Sequence, residues 1–272
     1  MATDDRQQYR YMKLVNELRD QITSGTLAPG APLPSEAELG KTYNLSRTSV
    51  RNAVRTLREM GLVRSAKGSG TYVRQRRRPV TRRIPERYQW EKNRVRLPEY
   101  ERRGDGASEQ DTGLPFERFA FRAHYDTIPA PADLARVFGV PEGATLLRRR
   151  YRTSDRDVEL PLGVGASYLV HDVVAANPAL LDAANEPWPG GTQHQLSTIG
   201  IELDRIVDEI TARPPAPEEA EALGIDAQGS AVFVLRKISI DTTDRVVEVA
   251  DVVMPGDLTK LIYTVGLERW TP

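Results

Sequence analysis

The stretch Ser46–Val63 reads SRTSVRNAVRTLREMGLV, and it decides the fold of the first part of the chain. Its apolar side chains recur every three or four residues, which places them along one side of a helix. They are Val50, Ala53, Val54, Leu57 and Met60. Ser46 is typical of a helix start and Gly61 of a helix end. The stretch therefore predicts an amphipathic helix, and the residues off its apolar stripe include Arg47, Thr48, Arg51, Asn52 and Arg55.

The neighbouring segments predict two more helices and a hairpin. The first helix is indicated by an apolar stripe that ends at Gly25 and consists of Tyr11, Leu14, Val15, Leu18 and Ile22. Ser35 and Glu38 stand at capping-box spacing and open a short second helix. After the third helix, LVRSA and TYVR flank KGSG, which predicts two strands and a turn. Three helices followed by a hairpin form a winged helix-turn-helix, whose third helix binds in a major groove.

The outward arginines of the third helix suit a nucleic-acid partner. A guanidinium group binds phosphate oxygens, or O6 and N7 of guanine, through parallel hydrogen bonds. Residues 1–103 contain 23 basic and 11 acidic residues, whereas the rest of the chain contains 15 and 27, although the whole chain has no net charge. The basic part is therefore expected to face a polyanion. For Arg55 and Arg58 we expect solvation or pairing within the protein.

The ordered motifs LPSEAEL, LSRTSVRNAVRTLREMGLV and KGSGTYV closely resemble the GntR family of bacterial transcription regulators, over about residues 9–74. The resemblance implies a helix-start residue, Ser35, near phosphate and a wing tip near the minor groove, formed by Lys67 and Gly68. It implies that operator bases and phosphates are contacted by Ser46, Arg47, Thr48, Ser49 and Arg51. Many members have arginine where this chain has Ala37, so that contact with DNA is absent here.

Residues 75–113 are rich in charge and contain few periodic apolar residues, which predicts a flexible basic linker. Tyr88, Trp90 and Tyr100 indicate that part of it docks on a domain. Five arginines of this segment have two interpretations that we weigh equally, namely attraction to phosphates and screened charge in solvent. They are Arg76, Arg77, Arg78, Arg82 and Arg83.

Residues 114–272 contain an internal repeat. The stretch LARVFGVPEGATLLRRRYRTSDRDVE (134–159) parallels EALGIDAQGSAVFVLRKISIDTTDRVVE (221–248). Each copy has a short helix, a glycine (Gly139 or Gly224), a strand, a polar hairpin and a further strand. Two such units predict a pseudo-symmetric antiparallel sheet with helices packed on it, so the fold class is α+β.

This second part resembles the UTRA effector-binding domain of the HutC-type branch of GntR regulators, which is similar in fold to chorismate lyase. The resemblance covers about residues 115–268 and rests on RYRTSD, SYL, EITARPPAPEEAEALGI, FVLRKISID and VVEVADVVMPGD in that order. It implies a domain that binds a small effector and supports dimerisation. Two departures make this pocket less polar than in relatives, namely Gly165 before SYL and Met254–Pro255 before GD.

Six residues are candidates for the effector pocket. Arg150 and Arg152 lie two residues apart on a strand, so their side chains point to the same face of the sheet. The resemblance implies that they bind an anionic group of the effector. The alternative is that both face solvent on an edge strand. Glu248 alternates with apolar residues, which indicates a buried carboxylate that binds the ligand or forms an ion pair. Thr192 and His194 stand where related regulators have a helix start that binds phosphate. The alternative is that Thr192 caps the helix and His194 is a surface residue. Tyr168 is a ligand contact or a core residue.

Composition narrows the function classes. The chain of 272 residues has no cysteine, three histidines without metal-ligand spacing, no membrane-length apolar run and no signal peptide. We expect no metal or cofactor and no membrane partner, and we expect a cytoplasmic protein. The sequence predicts a homodimeric regulator, which we expect to be a repressor. We expect it to bind a palindromic DNA operator, and we expect an effector with an anionic group to control this binding. The alternatives are a chorismate-lyase-like enzyme fused to a DNA-binding module and a non-specific DNA-architectural protein.

Overall fold

A computed structural model describes residues 2–66, 70–74, 80–103, 106–156, 161–225, 227 and 230–267. The chain forms two compact units. Met1–Arg77 with Ile225–Ser230 form the first unit, and Arg78–Gly224 with Ala231–Pro272 form the second. Among the described residues, every helix is too short or too polar to cross a membrane.

The first unit contains three helices and a hairpin. The helices are α1 (Ala2–Ser24), α2 (Glu36–Tyr43) and α3 (Arg47–Glu59), and the antiparallel hairpin consists of β1 (Val63–Ala66) and β2 (Gly70–Val73). The predicted stripes of α1 and α3 meet in one core, where Leu14, Leu18, Val50 and Leu57 are at most 2% exposed. Met60 is the exception, because α3 ends at Glu59 and the Met60 side chain is 48% exposed.

The ends of α2 and α3 are determined by local side-chain chemistry. Ser35 and Glu38 form the predicted capping box, and Ser46 Oγ accepts a hydrogen bond from the Ser49 backbone N–H at 3.1 Å. Asn44 has a φ of 52°, in the left-handed region that asparagine tolerates better than most residues. This conformation ends α2 and allows α3 to begin three residues later, which is the tight turn of a helix-turn-helix.

The second unit begins with elements that the sequence analysis assigned to a flexible linker. They are β3 (Val80–Arg83), α4 (Ile84–Arg94), α5 (Glu99–Arg102) and α6 (Ala107–Thr112), and we call residues 80–103 and 106–112 the docked segment. Val80 and Ile84 are buried. The prediction of a flexible connector is therefore wrong for these residues, while the expectation that part of it docks is confirmed.

A buried ion network holds the docked segment together. The Asp111 carboxylate lies 2.9 Å from Arg87 Nη1 and 3.5 Å from Arg82 Nε, and the side chains of Asp111 and Arg82 are 5% and 12% exposed. Arg82 is therefore neither available to DNA phosphates nor a screened charge in solvent, and both interpretations are wrong for this residue. Burial raises the pKa of Asp111 although both arginines oppose that shift.

The rest of the second unit is a six-stranded antiparallel sheet with short helices. In chain order the elements are β4 (Phe119–Pro129), α7 (Ala132–Phe138), β5 (Thr145–Asp155), β6 (Pro161–Val170), α8 (His171–Val174), α9 (Gly191–Ser197), β7 (Leu203–Arg213), α10 (Pro217–Leu223), β8 (Val232–Asp241), β9 (Val246–Pro255) and β10 (Thr259–Ile262). The strand order is β4-β5-β6-β9-β8-β7, while β10 pairs in parallel with β3.

The predicted repeat explains this strand order. Each copy is a strand, a helix and two strands: β4-α7-β5-β6 and β7-α10-β8-β9. The copies join through β6 and β9 at the centre of the sheet, so a pseudo-twofold axis passes between these strands. Gly139 and Gly224 end the two equivalent helices with φ angles of 68° and 60°, which glycine adopts without strain. The α+β fold with a pseudo-symmetric sheet is confirmed.

The sheet has a core on each face. On one face Leu147 and Leu169 pack with Val174 of α8 and Leu196 of α9. On the other face, Leu146 and Val249 pack with Leu134 and Ala135 of α7. We call these the α9 face and the α7 face.

Candidate DNA-binding and effector-binding sites

The first turn of α3 presents exposed polar side chains. Ser46, Arg47 and Thr48 are exposed, and Ser49 is half-buried. Ser46 Oγ and Ser49 Oγ lie 2.9 Å apart, which fixes the start of the helix. Among the described residues, the Arg47 guanidinium forms no ion pair or hydrogen bond, so its donors are free for an incoming acceptor.

The other arginines of α3 have protein partners. Arg51 Nε donates to Glu36 Oε2 of α2 at 2.9 Å, although Arg51 remains 68% exposed. Arg55 lies 3.7 Å from Glu59 on the same helix, in agreement with the expected pairing within the protein. Exposed pairs of this kind contribute less than about 1 kcal/mol, so Arg51 can exchange Glu36 for phosphate at little cost.

Three further DNA-binding candidates lie outside α3. Ser35 Oγ donates to Glu38 Oε2 at 2.8 Å and accepts from the Glu38 N–H at 3.2 Å, so this hydroxyl is occupied by the cap of α2. Its backbone N–H is occupied as well, by Glu38 Oε2 at 2.8 Å. Lys67 and Gly68, the predicted wing tip, lie outside the described residues.

The second unit contains a cleft of about 690 Å³, which we call the effector cleft. It lies between the docked segment, strands β4 and β5, and the loop Glu186–Gly191 that precedes α9. Its aromatic lining consists of Trp90, Phe116, Phe119, Phe121, Tyr151 and Trp188. Polar side chains at its base are Glu186, Thr192, His194 and Gln195. Charged side chains of the docked segment, among them Glu91, Glu99 and Arg102, also line the cleft. A cleft of this size that combines aromatic and polar side chains suits a small molecule.

Glu186 organises the base of the cleft. Its carboxylate accepts hydrogen bonds from the Tyr125 hydroxyl, from the Tyr151 hydroxyl at 3.0 Å and from Gln195 Nε2 at 2.9 Å. A fourth bond comes from the Trp188 backbone N–H at 2.7 Å. Burial and the Glu186 charge together raise the pKa of Tyr125 to about 12, although the Arg149 charge opposes that shift, so this tyrosine stays a hydrogen-bond donor. The base of the cleft is therefore pre-organised.

Thr192 and His194, two of the predicted effector residues, both line the cleft. Trp188 Nε1 donates to His194 Nδ1 at 2.8 Å, so the neutral imidazole carries its proton on Nε2. Burial, and next the charge of Arg102, lowers the pKa of His194. Thr192 Oγ1 accepts from Arg149 Nη2 at 3.3 Å, which leaves its own proton for another acceptor. Both residues can thus donate hydrogen bonds to a ligand.

Arg150 and Arg152 do not line the cleft, and the prediction that they face a cavity with Glu248 is wrong. Both are exposed, and Arg150 Nη2 lies 3.7 Å from Asp126, which also binds Arg148 on the α7 face. Strand alternation places Arg149, between them, on the α9 face. A shift of one residue along β5 would change which of the three consecutive arginines has a buried side chain.

Arg149 and Glu248 instead form a buried ion cluster with Lys237. Arg149 Nη2 lies 2.9 Å from Glu248 Oε1, and Lys237 Nζ lies 2.8 Å from Glu248 Oε2. Burial alone would raise the pKa of Glu248, but the charges of Lys237 and Arg149 outweigh it and lower the pKa to about 2. Ser167 Oγ donates to Glu248 at 2.7 Å. The carboxylate is therefore an ion-pair partner, and its predicted position in the ligand pocket is wrong.

The cluster still contacts the cleft indirectly. Arg149 Nη1 donates to Gln195 Oε1 at 2.5 Å, and Gln195 binds Glu186 through its amide nitrogen. Arg149 also supports Thr192, as described above. The sequence analysis missed Arg149, Glu186 and Gln195, and the usable signal was the run Arg148–Arg150, in which alternation allows an inward middle residue.

Tyr168 lies on the α7 face, where it packs against the core that contains Leu134 and Val249. Its partners across the sheet are Arg148 and Val249. The structure therefore supports the core interpretation of Tyr168 and not a ligand contact. Within the described part of the chain, no three histidine or acidic side chains are grouped as metal ligands.

Comparison with known proteins assigns both units. The family model of the bacterial regulatory proteins of the gntR family matches residues 10–73, and the UTRA domain model matches residues 123–260. The chain belongs to the GntR family. The HTH-type transcriptional regulator SCO4628 of Streptomyces coelicolor is 28% identical over 241 residues, which cover 89% of this chain and 87% of that protein.

Two further relatives support the GntR assignment. The mannosyl-D-glycerate transport/metabolism system repressor MngR of Escherichia coli is 42% identical over 67 residues, 25% of this chain and 28% of that protein. A crystal structure of a GntR-family transcriptional regulator has a TM-score of 0.61 at 26% identity and covers 95% of this chain and 98% of its own. This member of the GntR family is a DNA-binding transcription regulator with an effector-binding domain. The relatives do not support the alternative of a chorismate-lyase-like enzyme.

Proposed function

We propose that this regulator is a homodimeric repressor that recognises a palindromic operator through the first turn of α3. The observation that supports it is the free, exposed Arg47 guanidinium beside Ser46 and Thr48. Helix-turn-helix dimers place two such helices about one turn of DNA apart, which requires an operator of matching symmetry. MngR, similar over the DNA-binding unit, is itself a repressor.

Binding to DNA is tested with a matched pair of arginine variants. Arg47→Ala and Arg55→Ala each remove one exposed charge from α3, but only Arg47 lies in its first turn without a protein partner. A lost bidentate base contact costs about 1–3 kcal/mol of discrimination. Competition between a selected operator and random DNA at fixed salt should show lower specificity for Arg47→Ala and wild-type specificity for Arg55→Ala. Equal specificity of the two variants would contradict the proposal.

Two measurements test the proposed dimer, namely the mass of the protein in solution and the symmetry of the DNA that it protects. Analytical ultracentrifugation should give twice the mass of the 272-residue chain, and footprinting should protect two half-sites whose centres lie about 34–36 Å apart. An operator with one half-site deleted should lose the discrimination that the intact palindrome has. A monomer, or full specificity on a single half-site, would show that the symmetric arrangement is wrong.

The effector cleft is the proposed site of the regulating small molecule. Its supports are the aromatic lining, the pre-organised base around Glu186 and the available donors of Thr192 and His194. Thr153 lines the cleft from β5, so Thr153→Trp fills the cleft and changes no residue of the first unit. Mass spectrometry of small molecules that co-purify with wild type and with Thr153→Trp should identify the effector by its loss.

The same variant separates the two functions. Thr153→Trp should bind the operator as wild type does, because α3 belongs to the other compact unit, but its binding should no longer respond to the identified effector. An unchanged response would place the effector site elsewhere. Loss of operator binding without effector would show that the cleft is required for the structure of the regulator.

A further inference from the structure

The docked segment contributes an arginine to the effector cleft. Arg102 is the last residue of α5 and lies against the loop that precedes α9, where its Nε donates to the Pro189 carbonyl oxygen at 3.2 Å. Its Nη1 donates to the Leu97 carbonyl oxygen. The side chain is partly buried and lines the cleft, and its hydrogen bonds to two carbonyl oxygens hold it in position.

The charge of Arg102 is only partly balanced, because the Glu99 carboxylate lies near it but pairs directly with Arg103. Within the described part of the chain its guanidinium forms no ion pair, its two hydrogen bonds go to carbonyl oxygens, and its Nη2 has no acceptor. The adjacent Arg103 differs, because its Nε donates to the Glu99 carboxylate at 2.8 Å. A half-buried guanidinium without a carboxylate partner favours an anion, since burial without compensation is costly.

Two donor side chains meet beside Gly190, and a third lines the same cleft. A Cβ atom at Gly190 would lie 2.8 Å from His194 Cβ and 2.9 Å from Arg102 Cδ, so these two side chains meet at this glycine. His194 presents its Nε2 proton, as fixed by Trp188, and Thr192 presents a hydroxyl one residue beyond Gly191. One cation and two neutral donors suit a carboxylate or phosphate oxygen better than a neutral group.

The remainder of the cleft suits a flat apolar body. Trp90 and Trp188 both line it, and Phe121 and Tyr151 line it from adjacent strands with ring centroids 5.7 Å apart. Aromatic side chains of this kind bind planar apolar groups by stacking and edge contacts. The ligand that fits both parts has an aromatic or similarly planar body and one anionic group.

We propose that Arg102 binds the anionic group of an aromatic carboxylate or phosphate effector, so that the ligand contacts the docked segment directly. This inference rests on the proposed effector function of the cleft. It adds a residue outside the matched UTRA region, which begins at residue 123. The docked segment follows the DNA-binding unit in the chain, so an anion bound at Arg102 stabilises the docking of the residues that connect the two functions.

The test uses phenyl phosphate and benzoate as probes, with benzyl alcohol and benzamide as their neutral counterparts. Isothermal titration calorimetry on the full chain compares wild type with Arg102→Gln and with Arg96→Gln. Arg96 belongs to the same segment but is exposed and does not line the effector cleft, so it controls for the lost charge. Arg102→Gln should weaken binding of the anionic probes about tenfold or more, and Arg96→Gln should leave it unchanged.

The neutral probes exclude a merely structural effect. Benzyl alcohol and benzamide should bind wild type and Arg102→Gln alike, because they lack the anionic group. Wild-type affinity of Arg102→Gln for both anionic probes would overturn the inference. So would wild-type protein that binds neither anionic probe, or binds the neutral probes equally well.

The cleft-filling variant distinguishes the two levels of failure. If Thr153→Trp abolishes binding of the anionic probes while Arg102→Gln does not, the cleft remains the ligand site and only the role of Arg102 is refuted. If Thr153→Trp binds the anionic probes as wild type does, the ligand site lies elsewhere. Both the proposed cleft and the inference are then overturned.

Discussion

Glu248→Gln should strongly destabilise the second unit at neutral pH. The carboxylate is 1% exposed and lies between Arg149 and Lys237, at 2.9 and 2.8 Å. Its replacement removes the ion-pair partner of the buried Arg149 and of the partly buried Lys237, and breaking a buried ion pair in this way costs about 3–5 kcal/mol. A conservative amide of the same shape isolates the charge from packing.

The effect should depend on pH in a direction set by the carboxylate. The pKa of Glu248 is lowered from 4.5 to about 2 in the folded chain. The stabilisation by its charge is therefore present above pH 4.5 and is lost as the pH falls towards 2. At about 1.4 kcal/mol per pH unit, this difference corresponds to about 3 kcal/mol. Because glutamine does not titrate, wild type should approach the stability of the variant in acid.

Urea unfolding followed by tryptophan fluorescence measures this unit selectively. The three tryptophans of the chain, Trp90, Trp188 and Trp270, all belong to the second unit. Asp244→Asn is the matched control, because Asp244 pairs with Arg205 at the surface and is 78% exposed. The control should change the free energy of unfolding by less than about 0.5 kcal/mol. A Glu248→Gln variant as stable as wild type at pH 7, or equally destabilised at pH 7 and pH 3, would refute the reasoning.

Three further changes test other parts of the structure. Glu36→Gln should release Arg51 and strengthen binding to DNA a few-fold in a gel-shift titration, because a competing carboxylate is removed; unaltered affinity would place Arg51 away from DNA. Arg82→Gln should lower the urea midpoint of the second unit, since Arg82 is buried beside Asp111, and should leave the salt dependence of DNA binding unchanged; a shallower salt slope would indicate a phosphate contact instead. Asn44→Ala should lower thermal stability by about 1 kcal/mol, whereas Asn44→Gly should not, because φ is positive there; equal melting temperatures would argue against strain.

The DNA-binding unit was predictable because its signals are local. Helix periodicity, the capping box at Ser35 and the hairpin turn each depend on residues within a few positions of one another. Met60 fits the same periodicity but falls just past the end of α3 at Glu59. Periodicity alone does not show at which residue the apolar side of a helix ceases to be buried by the rest of the unit.

The inward arginine of β5 was not predictable from alternation. Arg148, Arg149 and Arg150 are consecutive, so period two is satisfied equally by the middle residue or by its two neighbours. The choice depends on Glu248 and Gln195, which are distant in the chain and supply the partners that a buried guanidinium needs. Only the folded sheet brings these groups together.

The docked segment was misjudged for a related reason. Its composition is that of solvated chain, with many charges and little apolar periodicity. Burial of its charges becomes favourable through specific pairs, such as Arg87 with Asp111, and the Tyr88 hydroxyl adds a hydrogen bond to Asp208 at 2.9 Å. Composition records how many charges are present, whereas stability depends on which of them meet.

The parallel pairing of β3 with β10 has a consequence for the order in which the protein matures during synthesis. Val80 pairs with Thr259, so the strand that follows the DNA-binding unit finds its partner only when almost the entire chain has left the ribosome. The first unit contains local helices and a hairpin and can fold long before then. Nascent chains therefore pass through a stage in which the helices of the first unit are complete while the strand that follows that unit has not yet found its partner.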